Sequence, residues 1–464
     1  MQSQMLRFAA LLGLLAAAAG SAACSQEERS FGEGGAGEGG GTGGSGGQVS
    51  TGEGPQLVRS VPENGDAQAS LDPYAFLYFD RPVSFSEATG KIRVSSDLQA
   101  DPTVVQALPC PDNDPTCVAA VFPESLQDPA GTGHLPGSTK VTVVIDKSFP
   151  DADGKTNDVD TTVTYTTFPL KLDFIDDSGA VTEEAGGLDY DPGSQSLFAV
   201  GLTSFQDQSF LVRKIPLPGG VPGAATTAAT VDTSATGGSP TYGLDIYGGR
   251  LFVAGTYQYR AYQFDDLGMN PPSGPITYNQ TGLPAPNDML YAVNSTAWLD
   301  DHLYIGCGYY AASPLTALIR LTPAGSWETW LDFAGAIDLS DGFTIAPAIE
   351  PDGKRFIYLG SPAEAIIYKI DVATKAIVNQ HEFESLYDPQ LRVDSRGRLY
   401  VGTNNDGLRV FTTAGPSGFT EIVSRTGIEA GRFGLREEGN TVHVYFMRFR
   451  GDLKVGTTSI TFVN

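Results

Sequence analysis

DPQLRVDSRGRLYVGTNNDGLRVF, residues 388–411, contains three short apolar runs separated by two polar turn clusters. The first run is QLRV. The cluster DSRG ends it with residues that favour turns, because Asp and Ser bond their own backbone and Gly tolerates unusual angles. LYV follows and stops on Gly402. NNDG then leads into the third run, GLRVF. Each run is too short for a stable helix, and β-branched and aromatic residues dominate, so the stretch predicts three consecutive antiparallel strands.

The glycine-ended middle run recurs. SLFAVG ends at Gly201, RLFVAG at Gly255, HLYIG at Gly306, RFIYLG at Gly360 and RLYVG at Gly402. A sixth copy, TVHVYF at 441–446, lacks the glycine. The glycines are 54, 51, 54 and 42 residues apart, a period of the size of propeller blades. Each copy is preceded by a strand and a turn (GLDYDPGSQ, GLDIYGG, STAWLDD, APAIEPDGK, PQLRVDSRG, FGLREEGN) and usually followed by a third run such as ALIRLTP or AIIYKIDVATK. Four strands per unit and six units of roughly 49 residues fill the chain from 169 to 464. A ring must also be shut. PLKLDFID (169–176) and TSITFV (458–463) are the terminal candidates, so one blade is expected to combine strands from both ends. Seven blades would require a further unit within 219–240 or 269–290.

Upstream, residues 56–168 carry six runs: QLVRSVP, AFLYFDRPV, GKIRVSS, CVAAVFP, KVTVVID and VTYTTF. Alternation of period two with turn clusters between the runs predicts a β-sandwich. The fold class is therefore all-β, a sandwich followed by a six-bladed β-propeller. Cys110 and Cys117 bracket PDNDPT, whose turn formers bring two strand ends together, and a disulfide is expected there in an oxidising compartment. A metal site in that loop would need more ligands than Asp112, Asn113 and Asp114. Asp151, Asp153 and Asn157 read as a β-turn, because DADG supplies too few acids for a calcium loop. Cys307 lies in an apolar strand, as a buried inert thiol would.

The N-terminus resembles an export signal. In residues 1–23 the only charge is Arg7, followed by the apolar run Phe8–Ala19, too short to span a bilayer. Cleavage after Ala23 would release a soluble protein. The stretch SAAC (21–24) also resembles a bacterial lipobox, with Ser21 where the pattern prefers an aliphatic residue. That resemblance implies lipid attachment at Cys24 and a membrane partner, and Ser25 resembles the outer-membrane sorting pattern. Residues 24–55 are dominated by glycine, with Glu33, Glu38 and Glu53, and nothing apolar offsets the entropy of ordering them. They read as a flexible tether. An exported cell-envelope protein, an outer-membrane lipoprotein, is expected, with a periplasmic or secreted soluble protein as the alternative.

Two further resemblances concern the folded parts. VRSVPENGDAQASLDPYAFLYFDRPV (58–83) with LPGSTKVTVVIDKSFPDADGKTNDVDTTVTYTTF (135–168) resembles bacterial Ig-like domains of the SbsA type. The resemblance implies a surface spacer or adhesion module. Residues 388–411 resemble six-bladed propellers of the gluconolactonase, NHL and YVTN-like groups.

Composition limits the chemistry. Against 54 Asp and Glu stand 29 Lys and Arg, a formal charge of −25. No basic cluster serves a phosphate backbone, which excludes nucleic acid as the expected partner. No G-x-S-x-G, His-x-x-His or Cys-x-x-Cys occurs, and the four histidines (His134, His302, His381, His443) are expected to face solvent or satisfy local hydrogen bonds. The resemblance to gluconolactonases implies one enzymatic alternative, a divalent-metal hydrolase with oxygen ligands in the channel. By position the candidates are Glu184, Asp189, Asp245, Asn287, Asn294 and Asp341, and Ca2+ would suit them. The competing expectation, favoured by the whole layout, is non-catalytic binding of an extracellular protein or glycan. Tyr257, Tyr259, Tyr309 and Tyr310 beyond strand ends are candidate contacts or packing residues.

Overall fold

The computed structural model describes residues 52–110, 113–128, 133–172, 181–182, 184–202, 209–232, 239–247, 250–256, 260–264, 276–279, 293–307, 317–324, 326–333, 336–339, 343–387, 389–403, 407–413, 418–425, 430–447 and 453–463. The expected signal peptide, Cys24, Asn287, Asp341 and Tyr257, Tyr259, Tyr309 and Tyr310 lie outside them.

Six sheets follow one another from residue 181 to 463, each antiparallel and ordered from an inner to an outer strand. The inner strands are Glu184–Asp191, Ser239–Tyr247, Val293–Leu299, Thr344–Ile349, Gln390–Val393 and Arg432–Glu438. Each packs against the next, and the sixth packs against the first. This is a closed six-bladed propeller. Segments 226–232 and 276–279, in the stretches where a seventh blade would have to arise, are the outer strands of blades 1 and 2.

The glycine-ended runs form the second strand of every blade: Ser196–Leu202, Arg250–Thr256, His302–Cys307, Arg355–Ser361 and Leu399–Thr403, with Thr441–Met447 in blade 6. Their apolar runs are nearly unbroken because both faces of a blade are covered. In blade 4, Ile357 and Leu359 pack toward blade 3 while Phe356 and Tyr358 pack toward blade 5. In blade 1, Phe198 and Val200 face blade 2, whereas Leu197 and Ala199 face blade 6. Alternate side chains on one strand thus belong to two different cores. Gly402 ends its run for a steric reason: a Cβ there would lie 2.1 Å from the Ala430 carbonyl oxygen and 2.7 Å from the Phe433 ring.

Both ends of the propeller segment build blade 6. Its long strand Leu453–Phe462 pairs at one end with Val181–Thr182 and at the other with Leu170–Leu172. The expected closure by strands from both termini is therefore present.

Two four-stranded sheets make the N-terminal β-sandwich. One runs Leu57–Val61, Tyr74–Phe79, Cys117–Val121, Gln106–Pro109, and the other Thr103–Val104, Ile92–Ser96, Lys140–Ile145, Thr161–Thr166. They share one core that includes Leu77, Phe79, Val94, Val143 and Tyr165. The sequence runs marked six of these eight strands; Thr103–Val104 and Gln106–Pro109 are short and interrupted by polar residues and proline. Cys110 and Cys117 are disulfide-bonded across a hairpin of the first sheet. Asp151 accepts hydrogen bonds from the backbone N–H groups of Asp153 and Lys155 at 2.9 and 2.8 Å, the self-bonded turn that its sequence suggests.

Two features depart from expectation. Residues 52–55, the end of the expected tether, dock on the sandwich. Gly54 sits so close to Thr156 that a Cβ would meet its carbonyl carbon at 2.4 Å, and Asn157 donates to the Pro55 carbonyl at 2.8 Å. Nor is the sandwich strung out as a spacer, because it shares a core with the ring. Leu71, Leu170 and Leu172 join Tyr400, Leu408, Phe433 and Phe462 in one apolar cluster, and Phe168 meets the Phe462 ring edge-on at 6.5 Å.

Candidate functional site: the propeller channel

Inner strands line the axis, so the channel is read from their register. GLD occurs in blade 1 as Gly187–Asp189 and in blade 2 as Gly243–Asp245; the matching triplet in blade 5 is QLR, Gln390–Arg392. The structure brings these three positions together. Arg392 Nη1 lies 3.3 Å from Asp245 Oδ1, and Nη2 lies 3.6 Å from Asp189 Oδ2. Nη2 also donates to the carbonyls of Leu244 at 2.7 Å and Leu188 at 3.4 Å. Both aspartates are buried, and 13% of the Arg392 side chain is exposed.

The carboxylates do a second job. Asp189 Oδ2 accepts from the backbone N–H of Ile246 in blade 2 at 2.9 Å, and its Oδ1 accepts from Tyr190 N–H at 2.9 Å. Asp245 in turn accepts from the backbone of Trp298 in blade 3. Each aspartate therefore fastens the following blade to its own, and blade 3 carries Ala297 at the matching position, where the device ends. Such charge-assisted bonds are about twice as strong as neutral ones.

Burial pushes the Asp245 carboxyl up to about 7; Arg392 opposes that rise and the Asp189 charge adds to it. Burial likewise raises Asp189, against the pull of Arg392. Two acids share one guanidinium, whose Nε–H finds no hydrogen-bond partner among the described residues. The cluster fits a structural tie better than a metal cage. Calcium takes six to eight oxygens, whereas here the carboxylates and two carbonyls already face a fixed cation.

Of the other nominated residues only the backbones of Glu184 and Asn294 are described. Glu184 begins the strand that carries Asp189, five residues away, which is roughly 17 Å along an extended chain. Asn294 stands near the start of the blade 3 inner strand. The side chains of both, like that of Cys307, lie outside the described atoms, and Asn287 and Asp341 lie outside the described residues. Among the described residues no group of three His, Cys, Asp or Glu side chains is disposed to hold a metal.

The histidines are only partly as expected. His302 Nδ1 meets the Asp300 carbonyl at 2.6 Å, and His443 lies 3.5 Å from Glu438. His134 instead is buried, with burial and nearby Arg425 holding it down to about 4. His381 packs among Phe383, Phe411 and Phe419.

Arg392 was absent from the sequence candidates, although the alignment of QLR with GLD marks it. Also unmarked is an aromatic pair at the turn end of the inner strands, where Tyr247 stacks on Trp298 at 5.8 Å and stays 43% exposed.

No protein-family model matches this sequence, and comparison with curated proteins finds no match. Among solved structures the chain is similar to a luciferin-regenerating enzyme at 15% identity, covering 62% of this chain and 95% of that one, TM-score 0.41. It is similar to an aldose sugar dehydrogenase from Streptomyces coelicolor at 13% identity, covering 63% and 98%, TM-score 0.41. A third is the WD40 propeller domain of Doa1, at 12% identity, covering 64% and 98%, TM-score 0.39. Similarity at these values carries no argument about activity.

Proposed function

We propose that this chain is an exported, lipid-anchored protein of the cell envelope, an outer-membrane lipoprotein with an SbsA-type Ig-like module, whose propeller binds an extracellular protein or glycan without catalysis. The observation that carries the non-catalytic part is Arg392. It occupies the channel and engages both Asp189 and Asp245, two acids that a metal-dependent hydrolase of this build would use. The exposed Tyr247 stacked on Trp298 supports the binding part, since aromatic faces take sugar C–H groups or apolar side chains. Export and anchoring are supported by the apolar run before SAAC and by the glycine-rich stretch after Cys24.

Two experiments test the reading. Cys24→Ala is expected to move the protein from the membrane fraction to the soluble fraction; a variant that stays in the membrane overturns the lipid anchor. Calorimetry with calcium and a screen of lactone and phosphotriester hydrolysis are expected to give neither heat of binding nor turnover. Turnover abolished by Asp245→Asn would overturn the non-catalytic assignment.

A further inference from the structure

The hairpin turns that join inner to second strands lie together on one face of the ring. Several are tied to a neighbour by polar contacts. Arg355 at the blade 4 turn pairs with Asp300 of the blade 3 turn at 2.7 Å, and the Ser395 N–H of the blade 5 turn donates to Glu437 of blade 6 at 2.8 Å. Between blades 2 and 3 the contact is aromatic instead. Tyr247, the last residue of its inner strand, lies flat on Trp298 with 9° between the ring planes. Trp298 packs against the core shared by blades 3 and 4, and Asp245 holds its backbone, so it is a fixed base. Tyr247 covers it and stays exposed, which gives this face a flat and rigid aromatic surface. Two and three residues after Trp298 the chain turns through Asp300 and Asp301, both at positive φ, 51° and 57°. A two-residue hairpin of this kind takes Asn-Gly or Asp-Gly most readily. Aspartate at both positions costs backbone strain and leaves the exposed Asp301 with an acceptor group near the platform.

We infer that Tyr247 on Trp298 is a stacking platform for a neutral polysaccharide of hexopyranose units, whose C–H face lies on the Tyr247 ring while a hydroxyl donates to Asp301. The inference rests on the reading of the propeller as a binding module and names the ligand class. A protein partner would need more apolar surface than this face offers. Among the described residues, Ile349 is the only other large apolar side chain exposed at the turn end of an inner strand. A net charge of −25 disfavours an acidic polymer.

The test is affinity electrophoresis and calorimetry of the full chain with three soluble neutral polysaccharides, laminarin, dextran and hydroxyethylcellulose, and with polygalacturonate as the acidic comparison. At least one neutral polymer is expected to bind and polygalacturonate is not. Tyr247→Ala is expected to weaken that binding roughly tenfold without moving the melting temperature, and Tyr247→Phe to retain it, because the ring and not the hydroxyl makes the platform. Asp301→Ala, which leaves the aromatic stack in place, is expected to weaken binding less and serves should the first variant fold poorly. Tyr387→Ala removes an exposed ring from the opposite face, beyond the outer strand of blade 4, and is expected to change nothing. Binding that survives Tyr247→Ala, or that Tyr387→Ala abolishes, overturns this site while sparing the broader reading of a binding propeller. Failure of all three neutral polymers, or preference for polygalacturonate, overturns the ligand class. Breakdown of a bound polymer would instead overturn the non-catalytic reading itself.

Discussion

The channel and blade 5 each set an arginine against acid, Arg392 with Asp189 and Asp245 in one, Arg409 of the third strand (Gly407–Thr412) with Glu421 of the outer strand (Thr420–Arg425) in the other, and build different things from them. In the channel, Arg392 is 13% exposed, donates to Asp245 and two carbonyls and pairs with Asp189 at 3.6 Å, while each aspartate also receives a backbone N–H from the next blade. In blade 5, Arg409 is 32% exposed and Glu421 27%, with a single long contact between them. Where the sandwich meets the ring, Leu71 enters an apolar cluster with Leu170, Leu172 and residues of blades 5 and 6. Charges that share the hydrogen-bond ladder between blades are part of the frame, whereas a long, part-exposed pair across two strands of one blade adds little to it.

The largest expected effect breaks the frame. Arg392→Met leaves two buried carboxyls without their cation and is expected to cost about 4 kcal/mol in denaturant unfolding, more at pH 8 than at pH 5, where protons substitute for the guanidinium. A loss no greater than that of Arg409→Met would erase the contrast. Next comes Leu71→Ala, expected to cost about 3 kcal/mol through the cavity left in the shared cluster. Asp245→Asn follows. The folded Asp245 carboxyl titrates near 7 against about 4 when unfolded, so its contribution falls as pH climbs between those values. The variant is expected to flatten the pH dependence of the melting temperature by part of the roughly 4 kcal/mol that a three-unit difference is worth, since Asp189 and Arg392 share the change. His134, held down to about 4, acts in the opposite direction below about 6.5, so the comparison of variant with wild type, not the raw profile, isolates the aspartate. The smallest effect is that of Arg409→Met, about 1 kcal/mol, because its ion pair is long and partly hydrated.

Sequence periodicity reveals the ring because blades are local. Each glycine-ended run pairs with neighbours a few residues away, and the pattern that covers both faces of a blade shows as an unbroken apolar stretch such as RFIYLG. The channel is less legible. Asp189 and Asp245 could be nominated from their strands, but their partner Arg392 lies 203 residues beyond the first of them, and only superposing GLD on QLR puts it on the axis. The seam is less legible still. Leu71 and Asp72 sit in a turn-rich segment whose composition gives no sign of an apolar cluster more than 300 residues away. Residues 52–55 mislead for a related reason, since glycine there allows close approach to Thr156 and Asn157 and not only freedom.

The strand Leu453–Phe462, paired with residues near 170 and 181, sets an order of events during synthesis. The sandwich is complete in sequence by residue 168 and can collapse early, while the wheel stays open until the strand Leu453–Phe462 has been made. A chain cut before Leu453 would leave Thr441–Met447, Leu170–Leu172 and Val181–Thr182 without their shared partner, open edges ready to join another chain.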